Sequence, residues 1–295
     1  MDAALSDTTL RLAAMAPAKL NLFLHVIGRR ADGLHLLQSV FVLIDLADTI
    51  GCVRREDGLI RRLTALAEVK EEDDLVVRAA RLLKRMAGET VEKSSLGADI
   101  SVAKKIPIGG GLGGGSSDAA TTLLVLNRLW SLDFSREKLQ TIGLMLGADV
   151  PFFIFGCDAF AEGVGEELFA VPIPQWWYLV LTPPAQISTQ VVFRHAELTR
   201  NTFPLKILDF SANGLKDLRN DLQPVVLKEF PAVFRSLEAL QAVSEKSVFG
   251  ARLTGSGACV FGAFEIEQDA RDALQALPPQ HKGFIARGLS THPFC

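Results

Sequence analysis

From Lys19 to Ile27 the chain reads KLNLFLHVI, with Leu20, Leu22, Leu24 and Val26 on one side of an extended backbone and Lys19, Asn21, Phe23 and His25 on the other. The alternation predicts a half-buried strand that holds Lys19 and Asn21 on one face. Residues 28–35, GRRADGLH, supply turn chemistry, and residues 36–55 read as one or two further strands. Glu71 to Met86 begins with acids and ends with bases, with Gly88 just beyond, the order that a helix dipole favours. Ala98 to Lys104 alternates as a strand, and Asp118 to Trp130 has the composition of a buried helix. Ser135 is placed to cap a further helix that closes at Gly147. Residues 148–151 are expected as a loop into an apolar strand, PFFIF, which sets Asp149 just past a helix end.

The texture changes beyond about Gly163. Pro172, Pro174, Pro183 and Pro184 bracket a strand, WWYLVLT. Helices are expected around Val191–Leu198, Asp221–Val243 and Glu267–Leu277, a hairpin at ARLTGSGACVFGAF and a last strand at FIARGL. Strands and helices mix without a regular βαβ beat, so the class is α+β, with one domain over residues 1–160 and another over 161–295.

Composition narrows the function. The 31 Lys and Arg nearly balance 34 Asp and Glu, and the basic pairs are short and punctuated by acids, which argues against a nucleic-acid partner. The four cysteines show no metal or disulfide spacing, so no metal-ligating residues are named. No apolar run is long enough to span a membrane, and the opening MDAALSDTTLRLAA lacks the apolar core of a leader. A cytoplasmic protein, monomeric or a weak homodimer, is expected.

The chemistry concentrates in IPIGGGLGGGSSDAA, residues 106–120. A Walker P-loop needs a lysine after the glycines, and none follows. Gly109, Gly111 and Gly114 satisfy the dinucleotide pattern G-x-G-x-x-G, but no second strand ending in an acid follows the helix; Asp133 opens a turn. The remaining reading is a nest of backbone amides that wraps a polyphosphate, set between a strand and a helix N-terminus. It comprises Pro107, Ile108, Gly109, Gly110, Gly111, Leu112, Gly113, Gly114, Gly115, Ser116 and Ser117, with Lys104 leading in. Side chains in place of the glycines would hold the phosphates away from those donors; a flexible hinge is the plain alternative.

This run resembles the second motif of the GHMP kinases. APAKLNLFLHVIGRRADGLH, LGADVPFF, AFAEGVGE and RLTGSGACVF extend the resemblance in family order from residue 16 to residue 261. They are similar to the branch whose acceptor is CDP-methylerythritol. The resemblance implies an N-terminal domain like domain 2 of ribosomal protein S5 and a ferredoxin-like C-terminal domain, whose last strand is able to return to the first. It also implies ATP with Mg²⁺ near Ser116 or Ser117, and phosphoryl transfer to the acceptor's 2-hydroxyl in non-mevalonate isoprenoid synthesis.

Residue by residue, the resemblance makes Asp149 the catalytic base and sets Lys19 near it and the substrate hydroxyl, with Asn21 projecting to the same side. His35 matches the histidine that reads cytosine, and Phe193 the aromatic that covers one face of the ring. Leu34 stands where the family usually carries a tyrosine against the other face. Gly255, Ser256 and Gly257 border the cleft. Kinases of the family that act on homoserine or phosphomevalonate are the near rivals. A non-catalytic nucleotide- or sugar-binding relative is disfavoured by the presence of both Lys19 and Asp149.

Overall fold

The computed structural model describes residues 10–64, 70–88, 96–207 and 212–295, so most of the opening segment read above lies outside the described residues. Two long antiparallel strands, β1 (Arg11–Arg29) and β2 (His35–Arg55), form its spine. Their turn is closed by Asp32, whose carboxylate accepts from the Leu34 amide at 3.1 Å, and by Gly33 at φ +89°. β3 (Ile60–Arg62) runs parallel to β4 (Gly97–Ala103), and β4 pairs antiparallel with β2. β5 (Ala159–Glu162) lies on β2 and carries β6 (Glu167–Ala170). In the second half, β7 (Trp177–Leu181), β8 (Ala251–Leu253), β9 (Val260–Phe264) and β10 (Gly283–Leu289) complete the sheet. Its main path runs β3-β4-β2-β10-β7-β9-β8. β10 joins the halves, pairing Gly288 with Ile44 and Leu289 with Leu43.

The expected half-buried strand is buried on both faces. Lys19, Asn21 and His25 are as enclosed as Leu20 and Leu22, because one side of β1 and β2 packs under helices and the other against β7, β9 and β10. The helical layer contains α1 (Leu75–Ala87), α2 (Gly114–Leu129), α3 (Arg136–Leu144) and α4 (Val150–Phe155). Asp74 caps α1 by accepting from the Val76 amide at 3.0 Å, and Ser135 caps α3.

Three local expectations need correction. PFFIF is helix α4, not a strand: a short apolar run fits either state when both are buried. Pro151 suits its first turn, and Gly156 at φ +85° ends it by donating to Phe152 O at 3.0 Å. The segment 221–243 is two helices, α6 (Gln223–Glu229) and α7 (Pro231–Ala242), because Pro231 disfavours helical backbone at Phe230. The first helix after the proline-bracketed strand, α5 (Thr189–Arg194), is shorter than expected and starts earlier, and α8 (Glu267–Ala276) ends the helical set.

Asp158, beside β5, accepts from the Leu43 amide at 3.1 Å, and burial raises its pKa to about 7. An aspartate so raised is protonated in the folded chain while still ionised in the unfolded one. Stability therefore falls as pH rises from about 4 to about 7, and the loss is complete above that. Asp158→Asn, which keeps the acceptor oxygen, is expected to be more stable than the parent by about 1–3 kcal/mol at pH 8. The two should converge near pH 4; thermal unfolding across that range checks it, and a difference independent of pH would contradict it.

Candidate active site

Strand β4 runs into the glycine loop, and Asp48 of β2 ties down the junction. Fully buried, its carboxylate accepts from the Lys105 amide and, at 2.9 Å, from the Ile106 amide. It also takes the Lys104 ammonium, which donates at 2.7 Å to Asp118 on the first turns of α2. Lys104 lines the cavity, but its charge is committed to these two carboxylates. Burial works against that charge, and Asp118 and Asp48 outweigh it, so the pKa of Lys104 is raised. Burial also raises Asp118 to about 7 against the pull of Lys104, as expected where two carboxylates share one ammonium.

Beyond this anchor, Gly109, Gly111 and Gly113 alternate into left-handed backbone at φ +72°, +76° and +72°. Gly113 occupies the N-cap of α2 with no side-chain cap, so the first amides of that helix face the cavity without a side-chain acceptor. The loop is sewn to two other segments by main chain alone. Lys19 N–H donates to Leu112 O at 3.0 Å, Ala258 N–H to Gly109 O at 3.3 Å and Cys259 N–H to Gly110 O at 3.1 Å. A Cβ on Gly111 would lie 2.3 Å from Thr254 O, and one on Gly113 2.8 Å from the Phe153 ring. Ser117 differs from the reading above: it is fully buried and donates to Pro17 O at 2.6 Å, fastening α2 to β1, while Ser116 reaches the cavity wall.

The cavity, about 550 Å³, lies between this loop, the N-terminus of α1, strands β1 and β2, and segments of the second half. Lys19 is only 3% exposed there. Its ammonium bonds Asn21 Oδ1, stands 5.2 Å from the centre of the Phe41 ring and lies 3.6 Å from Asp149 Oδ2. Asp149 is the N-cap of α4, yet its side chain makes no capping bond, which leaves the carboxylate free to face Lys19. Asn21 is fixed in turn: its amide nitrogen donates to Ser39 Oγ at 2.9 Å and its backbone N–H to Thr254 Oγ1 at 3.0 Å. Gly255 and Ser256 line the same cavity, held by Asn220, which donates to Leu253 O at 2.9 Å and to Gly255 O at 2.8 Å.

At the other end Phe193 lines the wall, and His35 packs behind it with ring centres 5.0 Å apart. His35 itself does not line the cavity. Leu34 is 51% exposed in the β1–β2 turn and does not line it either. Ile108 is also exposed, on the rim of the loop. Asp48, Asp118, Asn220 and Thr254 were not foreseen. An acid inside the apolar run LIDLADTI was the one available signal for Asp48.

A cation beside a free carboxylate, close to a nest of amides, can deprotonate an alcohol and hold phosphate oxygens. Residues 74–157 match the model of the GHMP kinases N terminal domain, and residues 206–282 that of the GHMP kinases C terminal. A 4-diphosphocytidyl-2-C-methyl-D-erythritol kinase of Thiobacillus denitrificans is 56% identical over 94% of this chain and 95% of its own. One from Janthinobacterium sp. is 54% identical over 94% of each. A crystal structure of a 4-(cytidine 5'-diphospho)-2C-methyl-D-erythritol kinase superposes with a TM-score of 0.78 at 31% identity, over 94% of this chain and 99% of that one. Mevalonate kinase of Methanococcus jannaschii shares the fold, with a TM-score of 0.67 at 16% identity over 96% and 99%.

Two alanine substitutions separate backbone strain from close approach. Gly109 has nothing within 4 Å of a built Cβ, so Gly109→Ala should cost about 1 kcal/mol, from its φ alone. Gly111→Ala adds the clash with Thr254 O and should cost about 2–4 kcal/mol. Equal melting temperatures for the two variants would contradict the seam.

Proposed function

Because the chain belongs to the 4-diphosphocytidyl-2-C-methyl-D-erythritol kinase family of GHMP kinases, we propose that this cavity carries the family's reaction with Asp149 as base and Lys19 as its cation. The enzyme is an ATP-dependent phosphotransferase with an alcohol acceptor, and its acceptor is CDP-linked methylerythritol. Asp149 accepts the proton of the 2-hydroxyl as its oxygen bonds to the γ-phosphorus, and the bond to the bridging oxygen breaks to release ADP. Lys19, buried and facing that carboxylate, favours negative charge on the attacking oxygen. The amides from Gly109 to Ser116 hold the phosphates, and the bare loop lets them approach. Phe193, on the wall, covers the cytosine, and His35, packed against Phe193 just off the wall, meets the edge of a base that extends past that ring. The ion pair at 3.6 Å opening onto the same cavity as the left-handed glycines is the observation that carries this reading.

Mg²⁺ fits the donors present. Asp118 Oδ1 is buried on the cavity wall with no hydrogen-bond partner, and Ser116 is on the same wall. Among the described residues there is no group of three or more His, Cys, Asp or Glu side chains to cage a metal. One carboxylate with substrate phosphates and water is an ordinary Mg²⁺ set, and the ion when bound neutralises phosphate charge. We take residues 1–160 as the nucleotide domain and 161–295 as the second, with β10 crossing back to β2. We also take the enzyme to be cytoplasmic, a monomer or weak homodimer; its four free cysteines suit a reducing compartment. Among the described residues no helix is long and apolar enough to cross a membrane.

Asp149→Asn should lower kcat about 10²-fold or more, with the KM values for ATP and the cytidine substrate little changed. A folded variant losing less than about threefold would remove Asp149 as the base. Methylerythritol phosphate lacking the cytidine should not turn over in the parent enzyme.

A further inference from the structure

Behind Phe193 the chain uses an arginine in an unusual way. The Arg200 guanidinium is half-buried, and among the described residues no carboxylate pairs with it. Its acceptors are three carbonyls and one imidazole. It donates to Leu198 O at 3.1 Å, to Phe193 O at 3.0 Å, to His195 O at 2.8 Å and, through Nε, to His35 Nε2 at 3.1 Å. Two of these carbonyls belong to the end of α5, so the fork caps the helix that presents Phe193.

The bond to His35 fixes more than position. A guanidinium N–H only donates, so His35 Nε2 must offer its lone pair and the ring proton must sit on Nδ1. We propose that Arg200 is a positioning residue for base recognition: it holds His35 as the neutral Nδ1–H form and sets Phe193 with the same fork. The His35 ring then presents one donor and no acceptor, which suits the N3 acceptor of cytosine and disfavours the N3–H of uracil. This rests on the reading of His35 and Phe193 as base-binding side chains. Burial, then Arg200 and Arg29, lower the pKa of His35; Arg29, its cross-strand partner, and Arg200 are the charged groups that face it.

The test uses enzyme labelled with [15N]histidine, with the His35 signals assigned by their loss in His35→Gln. Long-range ¹H–¹⁵N spectra should show His35 with Nε2 unprotonated from about pH 6 to 8. In Arg200→Gln the Nε2–H form should appear, and KM for the cytidine substrate should rise about tenfold while KM for ATP moves less than about twofold. Arg200→Lys, a cation without the fork, should recover only part of the loss. A parent enzyme whose His35 is Nε2–H or doubly protonated at pH 7 overturns the assignment, whether or not the variants fold. An unchanged KM in folded Arg200→Gln, with the parent active, overturns the positioning role alone. A parent that ignores every CDP-linked acceptor removes the functional reading and the base-recognition role with it.

Discussion

Three stretches of backbone in direct contact hold this site together. The glycine loop offers its carbonyls to Lys19 N–H on one side and to Ala258 and Cys259 N–H on the other, and Gly111 leaves no room for a side chain against Thr254 O. Main-chain bonds of this kind permit little sliding, because each donor left unpaired in a buried seam costs on the order of 1–3 kcal/mol. The seam therefore sets three things at once: the left-handed turns that point amides at the cavity, the depth of Lys19, and the reach of residues 254–259 from the second half over the first.

Charge in the site is divided by the same geometry. Lys104 lines the cavity, yet its charge is shared between Asp48 and Asp118, which leaves the loop amides and the start of α2 as the donors open to the cavity. Lys19 has a different balance. A buried ammonium is costly unless hydrogen-bonded and paired, and here Asn21 Oδ1, the face of Phe41 and the Asp149 carboxylate share that task. Asp149 keeps a side chain 37% exposed, so the pair is open on the side from which an acceptor alcohol would come.

Much of this was legible in the chain, for reasons that differ by residue. The glycine run declares itself because so bare a backbone has few other uses. Lys19 and Asn21 share a face by simple alternation, and the structure brings Lys19 to Asp149 as the motif pattern implied. What escaped was whatever depends on tertiary enclosure. PFFIF could not be told from a strand, since both its faces are buried and periodicity vanishes. Ser117 and Ser116 look alike in sequence, and only the rotation of α2 turns one to Pro17 and the other to the cavity. Asp48 and Asn220 act through buried hydrogen bonds to loops distant in the chain, for which no local pattern exists.

The residues proposed for chemistry and those proposed for recognition sit on different kinds of element. Lys19 lies on β1, Asp149 is the N-cap of α4 and the glycine loop runs into α2, elements that share a core. Phe193 sits near the end of a six-residue helix, His35 at the start of β2, and Arg200 on the irregular segment after that helix. Short elements of this kind contribute little stability of their own. Phe193 packs against the core of the second half, and the bonds from Arg200 tie its backbone to the His35 ring. Substitution at the Leu34 turn, where the side chain is half exposed and outside the cavity wall, leaves the Lys19–Asp149 ion pair untouched. A departure from the family's tyrosine is therefore tolerable there and would not be at Asn21, whose side chain and backbone hold β1, β2 and the 254–259 loop in one hydrogen-bonded set.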